Sequence, residues 1–227
     1  MELKVKDSIK GNYKTSALVV LLVGLFFIGL ISILNLIYIT IHLNHHIRWI
    51  VTLIISFIVY ALFYLGYISY FLKVSRGETG DIKALFNKPE LFLPSFIILV
   101  STFLAFLIGL PFLIAPGVIF VISLSQAPYI AIDNLEIGGF GALRKSIILM
   151  KGRKKEYFRY ILPYLKYFLK TLIVFILYLV SLKIKTNHMY LVTILNILLL
   201  IISIIFFIDF CLIIETAKAV YYNKLKE

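Results

Sequence analysis

Apolar residues fall into six long runs, and the short stretches between them hold nearly all of the charge. The runs extend from Ala17 to Ile41, Trp49 to Leu72, Leu91 to Leu110, Gly117 to Ile132, Phe158 to Leu182 and Tyr190 to Ile214. At about 1.5 Å of rise per residue, a helix of about 20 residues crosses about 30 Å of hydrocarbon, so the pattern predicts six transmembrane helices. The fourth run, about 24 Å long as a helix, is the short one. It also holds Ser123, Ser125, Gln126 and Pro128, the most polar content of any span. Pro111, Pro116 and Gly117 fall at the junction of the third and fourth runs and predict a tight helical hairpin turning over Pro111 to Gly117.

The connections carry weaker patterns. Tyr60, Tyr64, Tyr67 and Tyr70 recur every three or four residues, which places them on one helical stripe suited to packing against neighbouring helices. Asp81 to Phe86 reads as a short interfacial helix, with Ile82, Leu85 and Phe86 to one side. Leu143, Ile147 and Met150 recur at helical spacing opposite Arg144, Lys145 and Lys151. This predicts an amphipathic helix over about residues 140–152, lying on an anionic membrane face.

Composition agrees with this reading. The chain is 62% hydrophobic over 227 residues, more than a soluble domain of its size can bury, and a single membrane domain is expected over 1–227. The net charge of +12 raises nucleic acid as a partner. The basic residues, however, occupy the connections, as the positive-inside bias requires, and no basic nucleic-acid-binding element is present. Of 23 Lys and Arg, eighteen fall on the side of the N-terminus, the second and fourth connections and the tail. Arg48, Lys183 and Lys185 fall on the other. This predicts a multi-pass protein of the cell membrane with both termini cytoplasmic. Lys4, Lys6, Lys10 and Lys14 precede a first run too long for a cleaved signal, so it is expected to stay as an anchor. The single Cys211 lies in an apolar run and reads as a small buried residue.

Several short motifs recur in order: Ile9 to Tyr13 (IKGNY), Leu85-Phe86, Ala115-Pro116-Gly117, Ser123 to Tyr129 (SLSQAPY), Ile132-Asp133-Asn134, Ser146 to Gly152 (SIILMKG) and Lys155 to Phe158 (KEYF). Together they resemble the bacterial integral-membrane family catalogued as domain of unknown function 975. The pattern is thinner in spans five and six, where Leu165-Lys166 stands near the place of a Gly-Trp pair. The resemblance implies a multi-spanning membrane protein with no assigned activity and no catalytic residues.

Ionisable groups inside spans are the strongest functional pointers, because each costs a few kcal/mol unless paired or hydrated. Lys166 and Lys170 in span five lie about 12 and about 18 Å from its basic end, and Asp209 in span six lies about 9 Å from the same end. An ion pair between Lys166 and Asp209 is therefore expected, with Glu215 near Arg159 as a second rung. With Ser123, Ser125 and Gln126, these residues could form a charged vestibule for an ion, an anionic lipid head group or a peptide. The alternative is snorkelling lysines with a structural pair, and polar residues acting as interhelical glue. Asp133-Asn134 reads as a cap for the following turn.

His42, His45 and His46 lack acidic or cysteine partners and read as an interfacial turn, so no metal site is expected. Gly138 to Gly141 followed by Arg144-Lys145-Ser146 lacks the order of a phosphate-binding loop and any preceding strand. No cofactor is expected either, and an enzyme is the least supported class. The expected fold is an all-α polytopic bundle of six transmembrane helices with a cytoplasmic amphipathic helix. Two functions fit it. One is a non-enzymatic protein acting through a protein, peptide or lipid partner in an immunity, envelope or transporter-accessory role. The other is a small transporter or channel with a polar site formed by spans four to six.

Overall fold

The computed structural model describes residues 2–40, 44–80, 82–85, 89–109, 114–183 and 189–227. Ile41, His42, Asp81, Phe86, Leu110, Pro111 and Lys185, all named above, lie outside them. Among the described residues every regular element is helical, and six segments are long and apolar enough to cross a membrane. The spans are Tyr13–Thr40, His45–Ser75, Phe92–Gly109, Pro116–Asp133, Lys154–Ser181 and Val192–Lys226.

The chain begins with a helix that the run pattern does not reveal. α1 (Glu2–Lys10) places Val5 and Ile9 one turn apart on a buried face, against Tyr164, Ile214, Ala217 and Val220, and leaves Lys4, Lys6 and Lys10 exposed. α2 (Tyr13–Thr40) and α3 (His45–Ser75) form the first two spans. Asn44 caps α3, its side chain accepting from the His46 amide. The tyrosine stripe of α3 goes from exposed Tyr60 through half-buried Tyr64 and Tyr67 to fully buried Tyr70, whose hydroxyl lies between Thr15 (3.1 Å) and Ser16 (3.2 Å) of α2. Ile82–Leu85 of the predicted interfacial helix form one 3-10 turn, with Leu85 buried beside Phe71 and Val74.

α4 (Phe92–Gly109) and α5 (Ile114–Leu124) are the arms of the predicted hairpin. The described part differs in one respect: Pro116 and Gly117 lie in the first turn of α5. A proline is tolerated there because the first amides of a helix have no intrahelical acceptor. Gly117 lies against Gly109 so closely that a Cβ on Gly109 would come within 2.0 Å of the Gly117 Cα. The fourth span is the central one: 56% of its apolar window is buried, against 11–17% for the other spans. That central position explains how a short, polar segment is accommodated.

After α6 (Ala127–Asp133) a 3-10 turn leads into α7 (Gly138–Leu149), which occupies the place predicted for the amphipathic helix. Span five is not one smooth helix. Pro163 withholds an amide and resets the chain through the 3-10 turn Leu162–Tyr164, between α8 (Lys154–Ile161) and α9 (Leu165–Ser181). The final helix, α10 (Met189–Lys226), has 38 residues and is about 57 Å long. The residues after Ile214, which read as a short polar tail, continue it without a break. Thr216, Ala217, Ala219, Val220, Tyr221 and Tyr222 are among the most buried residues in the molecule. Both termini share one end of the bundle, where Lys4 and Glu227 approach to 3.8 Å. This basic end also contains the core clusters built on Leu65, Phe71, Ile98, Tyr129 and Tyr221.

Candidate functional site

The fourth span breaks where the sequence requires it. Pro128 has no amide and its ring excludes the carbonyl four residues back, so α5 ends at Leu124 and α6 restarts at Ala127. The freed backbone groups are satisfied from outside the span. The hydroxyl of Ser146, fully buried on α7, donates to the Ser123 carbonyl (2.7 Å) and accepts from the Gln126 amide (3.2 Å). Gln126 is fully buried and donates to Ser125 Oγ (3.0 Å), while Ser123 and Ser125 bond carbonyls of their own helix. The link to α7 thus runs through the backbone of Ser123 and Gln126 and the side chain of Ser146, and Ser125 alone of the three span-four residues lines a cavity.

That cavity, of about 190 Å³, lies where spans two to six meet and is lined by Tyr64, Thr102, Ser125, Tyr129, Tyr157 and Lys218 among apolar neighbours. The Lys218 ammonium is 2.8 Å from Glu215 Oε1, one turn back on α10. Lys218 lies deep in the bundle, yet 31% of its side-chain surface is accessible, because it faces the cavity. Tyr60, Tyr64, Tyr67, Tyr129 and Tyr157 all lie within electrostatic reach of Glu215. The second oxygen of Glu215 and the hydroxyl of Tyr129 are buried and find no hydrogen-bond partner among the described residues. The chamber thus combines an ion pair with unspent hydrogen-bonding groups, which suits water or a small polar molecule.

A second cluster closes the basic end of the bundle. Asp133, expected to cap a turn, instead accepts both contacts of Arg76 Nη2 (3.1 and 2.8 Å), Lys226 Nζ (2.8 Å) and the Tyr222 hydroxyl (3.0 Å). Arg76 also donates to Asn223, which donates to Ser75. One carboxylate therefore fastens the ends of spans two, four and six. Asp133 also pushes the pKa of Arg76 up, chiefly through the hydrogen bond, so the guanidinium charge is permanent.

The remaining predicted residues lie to one side of these clusters. Asp209 accepts from the Tyr13 hydroxyl (2.7 Å), which joins span six to span one. The ammonium groups of Lys166 and Lys170 lie 5.3 and 5.8 Å from the ring of Tyr167, on an exposed face of α9. Arg159 is exposed on α8, while Glu215 has turned to Lys218. His45 accepts from the Trp49 indole. Lys218 reads in the sequence as one more charge of a basic tail. The signal that could have found it is the absence of any Gly or Pro from Met189 to Glu227, which lets helical spacing run on and sets Glu215 and Lys218 on one face.

α7 has two unlike faces. Gly139, Ala142, Leu143, Ser146 and Met150 point inward, and a Cβ on Gly139 would come within 2.8 Å of Ile97. Gly139 of the glycine run therefore serves close packing on α4. Outward, Phe140 (73% exposed), Ile147 and Ile148 alternate with Arg144, Lys145 and Lys151. Only Leu143 and Met150 of the predicted apolar face point into the bundle, whereas Ile147 lies among the basic residues. Beside this face a groove of about 290 Å³ is lined by Ile130, Asn134, Lys145, Ile148, Leu149, Tyr222 and Lys226.

No curated protein and no solved structure matches the chain. One family does, over residues 95–227. That match takes in spans five and six, where the motifs are thinnest, and leaves out the IKGNY segment near the start. With more than half of its length matched, from the first turn of span three through the broken span, α7 and the whole of α10, the chain belongs to the family of proteins of unknown function known as DUF975.

Proposed function

We propose that this is a non-enzymatic integral membrane protein with its basic end in the cytoplasm, where it holds a protein, peptide or lipid partner. An immunity, envelope or transporter-accessory role fits this reading. The observation that carries it is the outward face of α7, where exposed Phe140, Ile147 and Ile148 interleave with Arg144, Lys145 and Lys151. Such a face is suited to an anionic membrane interface or an acidic partner. Purification from native membranes in mild detergent should recover a stoichiometric protein companion or tightly held anionic lipid. A chain recovered with neither would overturn the proposal.

A second reading, a small transporter or channel, draws support from the broken fourth span and the Lys218 chamber, since discontinuous helices often frame substrate sites. It ranks second because the route onward is apolar: Phe103 to Gly109 on α4 and Val118 to Phe120 on α5 offer no polar side chain. Flux in liposomes abolished by Lys218→Met in a folded protein would favour it, and unchanged flux would remove it.

A further inference from the structure

We infer that the groove between α6, α7 and α10 binds the phosphate-bearing head group of an anionic phospholipid. The inference rests on the reading above and names its ligand. The groove has the profile of an amphiphile. Lys145, Lys226 and Asn134 supply polar groups, and Ile130, Ile148 and Leu149 supply an apolar wall. Its volume of about 290 Å³ is roughly that of ten waters at about 30 Å³ each, which admits a head group.

The charges around it are already sorted. Asp133, at the end of α6, has its charge met by Arg76, whose guanidinium donates to both carboxylate oxygens and to Asn223. Lys226 is held at 2.8 Å from Asp133 and 5.7 Å from the Tyr222 ring, and only one of its three N–H donors is spent on the carboxylate. With Lys145 it leaves the groove with two positive charges beyond those that neutralise Asp133. The apolar surface selects a lipid over a free anion. Ile148 is 64% exposed on the groove wall, and Phe140 and Ile147 continue that surface along α7. Free phosphate would leave this surface in water, whereas an acyl chain and the membrane interface would cover it.

The test uses the full chain in nanodiscs of phosphatidylcholine with a minor fraction of phosphatidylglycerol, with bound lipid read by native mass spectrometry after partial delipidation. The wild type should retain one phosphatidylglycerol in preference to phosphatidylcholine. At about 1 kcal/mol per basic residue near an anionic lipid, the pair Lys145→Gln with Lys226→Gln should weaken retention about thirtyfold. The pair Arg144→Gln with Lys151→Gln makes the same charge change outside the groove and should weaken it less than about threefold. If the Lys226 variant does not fold, Lys145→Gln alone carries the test, because Lys145 takes no part in the Asp133 cluster. Equal loss from both pairs would overturn the groove while leaving the basic face as the contact surface. Displacement by millimolar inorganic phosphate would show a free-anion site and overturn the lipid. A wild type that retains neither phosphatidylglycerol nor a protein companion would overturn both the groove and the proposed function.

Discussion

The two ends of the bundle are built by different rules. At the basic end Tyr70, Ala127, Tyr129, Ser146, Ala217 and Tyr221 are almost completely buried, and the ends of spans two, four and six are joined through one carboxylate. Toward the other end the side chains turn outward: Leu36 is 65% exposed, Leu53 67%, Ile108 59% and Ile197 53%. Hydropathy runs the opposite way, because the more apolar end is the less packed one. In a bilayer the lipid solvates Leu and Ile as well as another helix does, so burial of apolar surface does not draw helices together. Small and polar residues do. The contacts of the apolar end obey the same rule: Gly109 on Gly117, Ser181 on Asn196 and Thr52 on Tyr38.

This contrast can be broken most forcefully at the Glu215–Lys218 pair. Glu215→Leu should leave a deep ammonium without its counter-charge and cost about 3 kcal/mol, read as a lower thermal midpoint in detergent. The double variant Glu215→Leu with Lys218→Met should cost less than either single change, because no uncompensated charge is left. If the costs simply add, the pair is not coupled and the chamber does not organise the basic end.

A smaller effect compares glycines at the two ends. Gly139→Val forces a side chain into Ile97 and the Pro94 carbonyl, with a Cβ contact of 2.8 Å, and should cost about 2 kcal/mol by prising α7 from α4. Gly29→Val, on α2 with nothing within 4 Å, should change the midpoint little. Equal effects would mean that packing does not differ between the ends.

Much of the architecture was legible in the sequence because hydropathy reports the solvent of a segment directly. Span number and the place of α7 follow from run length and periodicity, whereas the break at Pro128 was not expected, although proline chemistry accounts for it. Partners were not legible, because hydropathy carries no information about neighbours. Glu215 was matched to Arg159 by depth, whereas a helix that runs on past Ile214 brings Lys218 one turn away. Asp133 read as a cap because Arg76, 57 residues earlier in the chain, and Lys226, 93 residues later, are invisible to local pattern. α1 was hidden for a related reason: Val5 and Ile9 are too few to stand out among lysines until α10 supplies the surface that buries them.

Ser146 tests whether the broken span is held by polar glue. Ser146→Ala removes the donor to the Ser123 carbonyl and the acceptor for the Gln126 amide, leaving two buried backbone groups without this partner. A cost of about 1–2 kcal/mol is expected, with faster hydrogen exchange confined to residues near the break. Unchanged exchange at Gln126 would show that α5 and α6 close the gap without α7.

The smallest effect is expected at the apolar end. Leu36→Ala removes a side chain that would cost 2–5 kcal/mol in the core of a soluble protein, by loss of transfer energy and creation of a cavity. Leu36 is 65% exposed, so in the membrane its side chain meets lipid on most of its surface, and lipid fills the space that truncation leaves. The thermal midpoint should shift by less than about 0.5 kcal/mol equivalent in lipid nanodiscs. A loss as large as that for Ser146→Ala would mean that α2 packs on a surface the chain does not itself provide, such as a second copy, and the apolar end would then be an interface between proteins.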